Sequence, residues 1–449
     1  MLLTAITFSW ILNLLSERVV HSRVVISIGS AFIERQSQMK RIAVLFLCVA
    51  PLVVMTQCKS STPDSRESKS ADSAKQTNVT DIPSPAGAGS AEPNLSTGPD
   101  GRVYLSWIDA ADTMSSLKFS VLGENQTWSP AGLIAQGEHW FVNSADFPSL
   151  IALPDGTMAA HWLADNPEGS EAYNIHLSMS HDGGKTWSKP IIPHRDRSEN
   201  EHGFASLIAA GSGELGVLWL DGNKIKDEVG DMALNYTTVG VDGKVGKETV
   251  LDTRVCECCQ TSAAPTPDGI IAVYRDRSEK EIRDISFALH TKDGWSKPEA
   301  LSKDNWQING CPVNGPSVST SGSHAAAAWF TAPNDVSQVN VALSNDGGKT
   351  FGSPIRIDGG KPVGRVDVVA LSSGDALVSW LEQAAEGTQV RIRQVRPGGT
   401  LGDPIIASAN SKVKFAGVPQ ITLSGKQVVV AWTDGDTPSK VRTAALKID

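Results

Sequence analysis

Two near-identical eight-residue segments are the most informative part of this sequence: Ser180-His-Asp-Gly-Gly-Lys-Thr-Trp187 and Ser344-Asn-Asp-Gly-Gly-Lys-Thr-Phe351. Each lies between two apolar-alternating runs, as expected for a turn that joins antiparallel strands. The Asp-Gly-Gly core suits a hairpin turn, because glycine accepts positive φ and the aspartate side chain bonds the turn backbone. We expect structural roles at Ser180, Asp182, Gly184, Trp187, Ser344, Asp346, Gly348 and Phe351.

These segments resemble the Asp-box of the sialidase-like (BNR-repeat) β-propellers. Two full copies of the pattern make the resemblance specific. It covers most of residues 93–449 as architecture, but only the Asp-boxes as motif. The resemblance therefore implies a β-propeller and does not identify a reaction.

A longer repeat sets the number of blades. Each unit has a first strand, a glycine-containing turn and a strand that ends in an aromatic residue, and two further strands follow. The aromatic residues lie between 51 and 57 positions apart, at Trp107, Trp162, Trp219, Tyr274, Trp329, Trp380 and Trp432. Seven units predict an all-β, seven-bladed β-propeller of four-stranded antiparallel blades over residues 92–449; the alternative is the six-bladed propeller of true sialidases. The last unit ends after its third strand, so we expect the segment around Val79 to supply the fourth.

The overall composition is that of a globular protein. Of 449 residues, 40% are hydrophobic and 20% are charged, and the net charge is −9. The chain has no basic stripe, so nucleic acid is not an expected partner.

The N-terminal region is typical of an exported bacterial protein. Residues 39–57 have a basic start and a short apolar core, which predicts a signal peptide. Cys58 follows at the position of a lipoprotein processing site, so we expect lipidation there and a location in the cell envelope, on the periplasmic side or the surface, with the lipid as the membrane contact. Residues 58–91 are rich in small and polar residues and predict a flexible tether. Residues 1–38 fit no export signal and are interpreted as an upstream extension outside the native chain.

Blade topology separates the Asp-boxes from any functional site. The Asp-boxes join strands 3 and 4, so they lie on the face opposite the loops that connect one blade to the next. Those connecting loops are polar and are predicted to converge on the axis. Candidate ligand-binding residues are His139, Asn143, Asn314 and Arg365. Candidate catalytic residues are Glu201, His202, Asp276, Arg275, Arg277, Arg365 and Asp367.

Four cysteines lie in the connecting loops, at Cys256, Cys258, Cys259 and Cys311. An even set of cysteines in an exported protein favours disulfides, with the pairing left open. A disulfide confined to the Cys-x-Cys-Cys loop would be strained, which leaves a soft metal ion, copper or zinc, as the alternative.

The resemblance to sialidases also bears on the arginines. Sialidases bind an acidic sugar through an arginine triad and use a Tyr–Glu nucleophile pair with an aspartic acid. Arg275, Arg277 and Arg365 are the candidates for such a clamp, because guanidinium groups match a carboxylate in bidentate geometry. The chain has no Arg-Ile-Pro motif, and Tyr274 occupies a core marker position, so the catalytic residues of the family are not carried over.

Three functions remain open at this stage. The first is recognition of an anionic glycan or an envelope protein through a central pocket lined by Cys, His and Arg. The second is an enzyme, either a glycoside hydrolase of exo-sialidase type or a lyase-like activity that uses a histidine. Hydrolysis would require two carboxylates across the bond, with Glu201, Glu257, Asp276 and Asp367 as candidates. The third is a non-catalytic assembly scaffold.

Overall fold

The computed structural model describes residues 79–448, apart from 112, 171, 212, 227–229, 386, 409–416 and 436. The predicted upstream extension, signal peptide and Cys58, with most of the tether, lie outside the described residues. No helix in the described ranges is long and apolar enough to cross a membrane.

Seven antiparallel sheets, which are the blades, make up the described chain. The innermost strands of blades 1 to 7 are β2 (Ser90–Thr97), β6 (Ser149–Ala152), β9 (His202–Ala209), β13 (Ser262–Thr266), β18 (Ser317–Ser321), β22 (Pro362–Ala370) and β26 (Gln420–Ser424). The second strands are β3 (Val103–Ala111), β7 (Met158–Asp165), β10 (Glu214–Asp221), β14 (Gly269–Arg275), β19 (His324–Thr331), β23 (Ala376–Ala384) and β27 (Gln427–Asp434).

The third strands are β4 (Met114–Val121), β8 (Tyr173–Ser180), β11 (Met232–Gly240), β15 (Ile285–Thr291), β20 (Gln338–Ser344), β24 (Gly387–Val395) and β28 (Lys440–Lys447). The outer strands are β5 (Gly132–Gly137), β12 (Thr249–Val255), the pair β16 (Gly294–Trp295) and β17 (Glu299–Ala300), β21 (Ile355–Arg356), β25 (Ile405–Ile406) and β1 (Val79–Ile82). Blade 2 has only a bridge between Leu177 and Ile191 at this position. A short 3-10 helix, Pro333–Asp335, lies between β19 and β20.

The inner strands form a closed ring, because each contacts the inner strand of the next blade and β26 contacts β2. The prediction of a seven-bladed propeller with four-stranded antiparallel blades is therefore confirmed, and the six-bladed alternative is wrong.

The ring is closed by strands from the two ends of the described chain. Strand β1 pairs antiparallel with β28, with Val79 opposite Leu446 and Ile82 opposite Thr443. Ile82 is buried in the core between blades 7 and 1, and the Thr443 hydroxyl donates a 2.8 Å hydrogen bond to its carbonyl oxygen. The prediction that the segment around Val79 completes the seventh blade is confirmed.

The Asp-boxes join neighbouring blades through local hydrogen bonds and aromatic contacts. In the first copy, Asp182 accepts hydrogen bonds from the hydroxyls of Thr186, at 2.6 Å, and Ser180, at 2.8 Å. The Thr186 hydroxyl is the main cause of a lowered Asp182 pKa. Trp187 meets Phe119 of blade 1 edge-on, and a Cβ on Gly184 would lie 2.3 Å from that ring. In the second copy, Asp346 accepts from Thr350 at 2.6 Å and from Ser344 at 2.7 Å, and Phe351 meets Phe287 of blade 4 edge-on.

The aromatic residues of the repeat belong to a motif that the sequence analysis missed. Trp107 donates its indole N–H to Asp109 at 2.8 Å, and Trp219 donates to Asp221 at 2.8 Å. Trp380 likewise donates to Glu382 at 2.6 Å. A Trp-x-Asp/Glu pattern in the second strand therefore satisfies a buried indole and anchors the inter-blade core.

Candidate functional site

A narrow channel follows the axis of the ring. Its cavity has a volume of about 220 Å³. Every blade contributes polar side chains to the lining, which includes Asn94, Ser149, Ser206, Ser262, Ser317, Asp367 and Gln420. One end, here called the channel mouth, is formed by Asp146, Gln260 and Pro316 on the loops that precede β6, β13 and β18.

The loop between β12 and β13 carries three cysteines close to one another. The Sγ atom of Cys256 lies 3.1 Å from that of Cys259 and 3.9 Å from that of Cys258, and all three sulfurs lie within 4.8 Å of one another. Cys258 interacts electrostatically with Tyr173 of blade 2 and with Arg365 of blade 6. The three thiols are therefore close enough to hold one metal ion.

Cys311 approaches this cluster from the loop before β18. Its thiol is exposed, lies 3.9 Å from Glu257 Oε1, and has a lowered pKa caused chiefly by a hydrogen bond with Cys258. All four described cysteines are free thiols. The Cys256–Cys259 separation exceeds the roughly 2.05 Å of a disulfide bond. The predicted disulfides are thus not present among the described residues.

Arg283 supports the thiol cluster. It is buried, and its Nη1 donates to Cys256 Sγ at 3.2 Å and to Glu257 at 2.7 Å. Glu281 accepts from its Nη2 at 3.1 Å. Burial opposes ionisation of Cys256, but hydrogen bonds with Cys258 and Cys259 hold the pKa of Cys256 well below its usual value. These hydrogen bonds and the neighbouring Arg283 guanidinium therefore favour the thiolate form of Cys256.

Arg275 does not face the channel mouth. It is buried and donates to the carbonyl oxygens of Asn314, at 3.0 and 2.8 Å, of Arg283, at 2.6 Å, and of Phe330, at 2.6 Å. Its guanidinium also lies 5.0 Å from the centre of the Trp306 ring. These backbone contacts occupy its donors, so Arg275 ties blade 4 to blade 5.

Arg277 lies in an ion-pair network. Its donors reach Glu281 at 2.9 to 3.1 Å and Glu257 at 3.6 Å. Arg254 joins the network through Asp231 at 3.4 Å and Glu281 at 3.7 Å. Three acidic groups thus neutralise Arg254, Arg277 and Arg283, and the structure does not assemble Arg275, Arg277 and Arg365 into one clamp.

Arg365 is the candidate arginine with spare donor capacity. It lies in a bulge of β22, and its Nη1 is buried without a hydrogen-bond partner among the described residues. Its backbone is left-handed, with φ of 58°, and Glu92 and Phe204 have φ of 53° and 50° in the bulges of β2 and β9. Glu92 was missed by the sequence analysis, although it occupies in the first repeat the position that Arg365 occupies in the sixth.

Glu92 and Arg365 influence each other. Burial raises the pKa of the Glu92 carboxyl to about 7, against the opposing charge of Arg365. Burial lowers the pKa of Arg365, against the charges of Cys259, Glu92 and Cys258. Glu92 Oε2 has no hydrogen-bond partner in the described part of the chain. The pair therefore supplies a guanidinium N–H group that has no hydrogen-bond partner among the described residues, together with a carboxyl that is partly protonated at neutral pH.

Asn314 fixes the backbone of Arg365. Its Oδ1 accepts the Arg365 N–H at 2.7 Å, and its Nδ2 donates to Val363 O at 3.3 Å. A Cβ on Gly364 would lie 2.2 Å from Asn314 Oδ1, so only glycine fits there. Asn314 is consequently a positioning group, and its amide is directed at protein backbone.

A second carboxyl at the channel mouth was missed by the sequence analysis. Asp146 Oδ1 accepts the Phe204 N–H at 2.7 Å, while Oδ2 makes no well-formed hydrogen bond among the described residues. Burial raises the pKa of Asp146 to about 7, although Phe204 N–H and the Tyr173 hydroxyl lower it. Glu201, which is exposed, lies close enough to raise it.

The other predicted carboxylates have structural contacts. Asp367 accepts from the Ser317 hydroxyl and Ile421 N–H, both at 2.8 Å, so it joins blades 5, 6 and 7. Burial raises its pKa to about 6. Asp276 accepts from Arg277 N–H at 2.6 Å and from the Ser286 hydroxyl at 3.2 Å.

His202 lies in a separate cluster. It is buried, its Nε2 is 3.0 Å from Asp196 Oδ2, and its ring stacks on His194 with centroids 4.1 Å apart. Asp196, His202 and Asp221 are close enough to hold a metal ion, but Asp221 already accepts from Trp219. The histidine is thus held by residues of the loop that precedes β9.

His139 and Asn143 lie on the exposed loop before β6. His139 has a left-handed backbone with φ of 57°, and its carbonyl accepts from Asp165 N–H at 2.9 Å. Asn143 Oδ1 accepts from Ala145 N–H at 2.8 Å. Both residues are available to solvent, but neither has a contact with the cysteine cluster among the interactions of the described residues.

Comparisons with known proteins place the fold among relatives. A crystal structure of a protein of unknown function from Dyadobacter fermentans has 17% identity and a TM-score of 0.51, covering 84% of this chain and 99% of that one. The polysaccharide lyase Uly1 has 10% identity and a TM-score of 0.52, covering 80% and 90%. The NanB sialidase of Streptococcus pneumoniae has 12% identity and a TM-score of 0.43, covering 80% and 69%.

At these identities the Dyadobacter fermentans protein and Uly1 show a shared fold alone. No curated protein matches the chain. The family comparison shows more than the fold, because the BNR repeat-like domain matches residues 109–386, more than half of the chain, including both Asp-boxes. The chain therefore belongs to the BNR repeat-like domain family.

Proposed function

We propose that the channel mouth binds an anionic polysaccharide. The observation that carries the proposal is Arg365, whose buried Nη1 has no hydrogen-bond partner among the described residues. A guanidinium donor away from bulk water binds carboxylate or sulfate strongly, since few waters compete for it. Two carboxyls with pKa values of about 7, Glu92 and Asp146, are partly protonated at neutral pH and can donate to sugar or anion oxygens.

The setting of the site supports the same proposal. Asp146 lines a channel with a polar lining, and so does Val366, the chain neighbour of Arg365. The polysaccharide lyase Uly1 has the same fold, although the fold alone does not assign a ligand. Within this proposal the chain is exported and anchored to the cell envelope by a lipid on Cys58, as residues 39–57 indicate.

A bound soft ion, copper or zinc, is the second part of the proposal. It is supported by the three thiols of Cys256, Cys258 and Cys259, which lie within 4.8 Å of one another, and by the nearby thiol of Cys311. Thiolates favour soft and borderline ions. Because Cys258 and Arg365 interact electrostatically, the ion would form part of the wall of the polysaccharide site.

The substitution Arg365→Gln is expected to weaken binding of an anionic polysaccharide by about tenfold, the typical effect of losing one charge-assisted hydrogen bond. Affinity gel electrophoresis with uronate-containing, sulfated and neutral polysaccharides measures this. Binding by the unaltered chain should also weaken as pH rises through about 7, because Glu92 and Asp146 then gain negative charge.

Arg102→Gln is the matched control, because Arg102 is exposed and pairs with Asp100 on the turn after β2, away from the connecting loops. It should change the affinity by less than about twofold, since exposed ion pairs contribute little. Equal retention of neutral and anionic polysaccharides, or an equal effect of the two substitutions, would contradict the proposal.

The alternative of an exo-sialidase is less well supported. Arg275 donates to backbone carbonyls and Arg277 pairs with Glu281, so Arg365 alone remains to bind the carboxylate of a sialic acid. We expect no release of fluorophore from a fluorogenic sialoside above the rate without protein, with an active sialidase as the positive control. Turnover that disappears in Arg365→Gln would instead establish the hydrolase.

A further inference from the structure

We infer that Cys256, Cys258 and Cys259 bind one Cu(I) ion through three thiolates, and that exposed Cys311 exchanges this ion with solvent-borne carriers. The inference rests on the soft-ion site proposed above, and it adds the identity of the metal, the ligand set and the route by which the ion enters.

The sulfur separations fit three ligands around one ion. With metal–sulfur bonds of about 2.3 Å, three sulfurs in a trigonal arrangement lie about 4 Å apart. The Cys256–Cys258 separation is 3.9 Å, and the Cys256–Cys259 separation of 3.1 Å needs to open by less than about 1 Å. The backbone of the loop is also fixed at its first cysteine, because Cys256 N–H donates to Arg275 O at 3.0 Å.

The number of ligands separates copper from zinc. Structural zinc is almost always four-coordinate, whereas thiolates also hold the soft ion Cu(I). Among the described residues, no fourth Cys, His, Asp or Glu has a ligand atom within 4.8 Å of all three sulfurs. Cys311 lies outside this set, next to Cys258 and 3.9 Å from a carboxylate oxygen of Glu257. An exposed thiol beside one ligand can pass the ion on by sulfur-for-sulfur exchange.

The surrounding charges favour an anionic copper centre. Binding of one Cu(I) by three thiolates transfers no electrons and leaves a net charge of −2 on the centre, and each of the three cysteines that was protonated releases its proton to solvent. Arg283 donates to Cys256 at 3.2 Å, and the charges of Arg275 and Arg365 also act on the cluster. Glu257 and Glu281 hold Arg283 in place, as expected for a group that orients a metal ligand.

The test uses the full chain with Cys48→Ser and Cys58→Ser, so that only the four loop cysteines remain. The reduced protein is titrated with Cu(I) without oxygen, in competition with a chromogenic Cu(I) chelator. We expect one Cu(I) per chain and a three-sulfur shell by X-ray absorption. Cys258→Ser should weaken binding at least 30-fold, and Cys258→Ala serves as a second variant if the first does not fold.

Cys311→Ser is the matched variant. It should keep the stoichiometry and change the affinity by less than threefold, but slow transfer of Cu(I) to the chelator at least fivefold. If Cys311→Ser lost as much affinity as Cys258→Ser, this inference would be overturned. Binding of zinc by four sulfurs in preference to copper would overturn it too, and either result would leave the proposed soft-ion site intact. Retention of neither metal would overturn both, while polysaccharide binding is measured independently.

Discussion

The substitution Arg275→Met is expected to lower the free energy of unfolding by about 3–5 kcal/mol, a loss typical of removing one member of a buried polar network. Arg275 is 1% exposed and donates four hydrogen bonds to the carbonyl oxygens of Asn314, Arg283 and Phe330. Methionine fills most of the volume but leaves these acceptors without their donor. Equilibrium unfolding in urea, followed by tryptophan fluorescence, measures the loss.

Two further substitutions test this assignment. Arg277→Met removes an arginine that is 20% exposed and paired with Glu281, so it should cost about 1 kcal/mol or less. Arg275→Lys should restore less than half of the loss, because an ammonium group cannot reproduce the planar fork of donors. A loss below about 1 kcal/mol for Arg275→Met, or equal losses at the two positions, would show that Arg275 does not join the blades.

Removal of the closing strand is expected to destabilise the whole ring. A chain that begins at residue 85 lacks β1, which buries Ile82 and pairs with β28 over four residues. Loss of this burial and of the strand hydrogen bonds should cost about 3–6 kcal/mol. In a domain of this size, that corresponds to a fall in melting temperature of about 5 °C or more. Differential scanning calorimetry measures the change.

A chain that begins at residue 76 is the control, because it keeps β1. It should melt within about 2 °C of the full chain, because it retains every strand of the seven described blades. The shorter chain should also self-associate, because β28 then presents an unpaired edge. Equal melting temperatures for the two truncated chains would contradict the closing role of β1.

The fold was predictable because its signals are local and repeated. The residues of the Asp-box predict its turn geometry directly. The aromatic marker recurs once per blade, so its spacing predicted both the seven blades and the missing last strand. An acidic residue two positions after the marker, such as Asp221 after Trp219, was equally visible in five of the seven blades. It was overlooked because the carboxylates were considered only as surface or catalytic groups.

The site was predictable only in part, because it depends on which way side chains point in three dimensions. The sequence indicated that the Cys-x-Cys-Cys loop and Cys311 belong to the same face, and the structure brings them together. It did not indicate that Arg275 points into the contact between blades 4 and 5. Nor did it indicate that Arg365 lies in a bulge of β22, which changes the direction of its side chain. Bulges depend on one extra residue in a strand, which alternation patterns do not reveal.

The pairing of β1 with β28 also has a consequence for folding during synthesis. Ile82 and its partner Thr443 are 361 residues apart in the chain. At translation rates of about 5–20 residues per second, the second partner is synthesised roughly 20 to 70 s after the first. During that interval blade 1 has no neighbour on one side, so the nascent chain depends on keeping that surface from premature association until its final strand arrives.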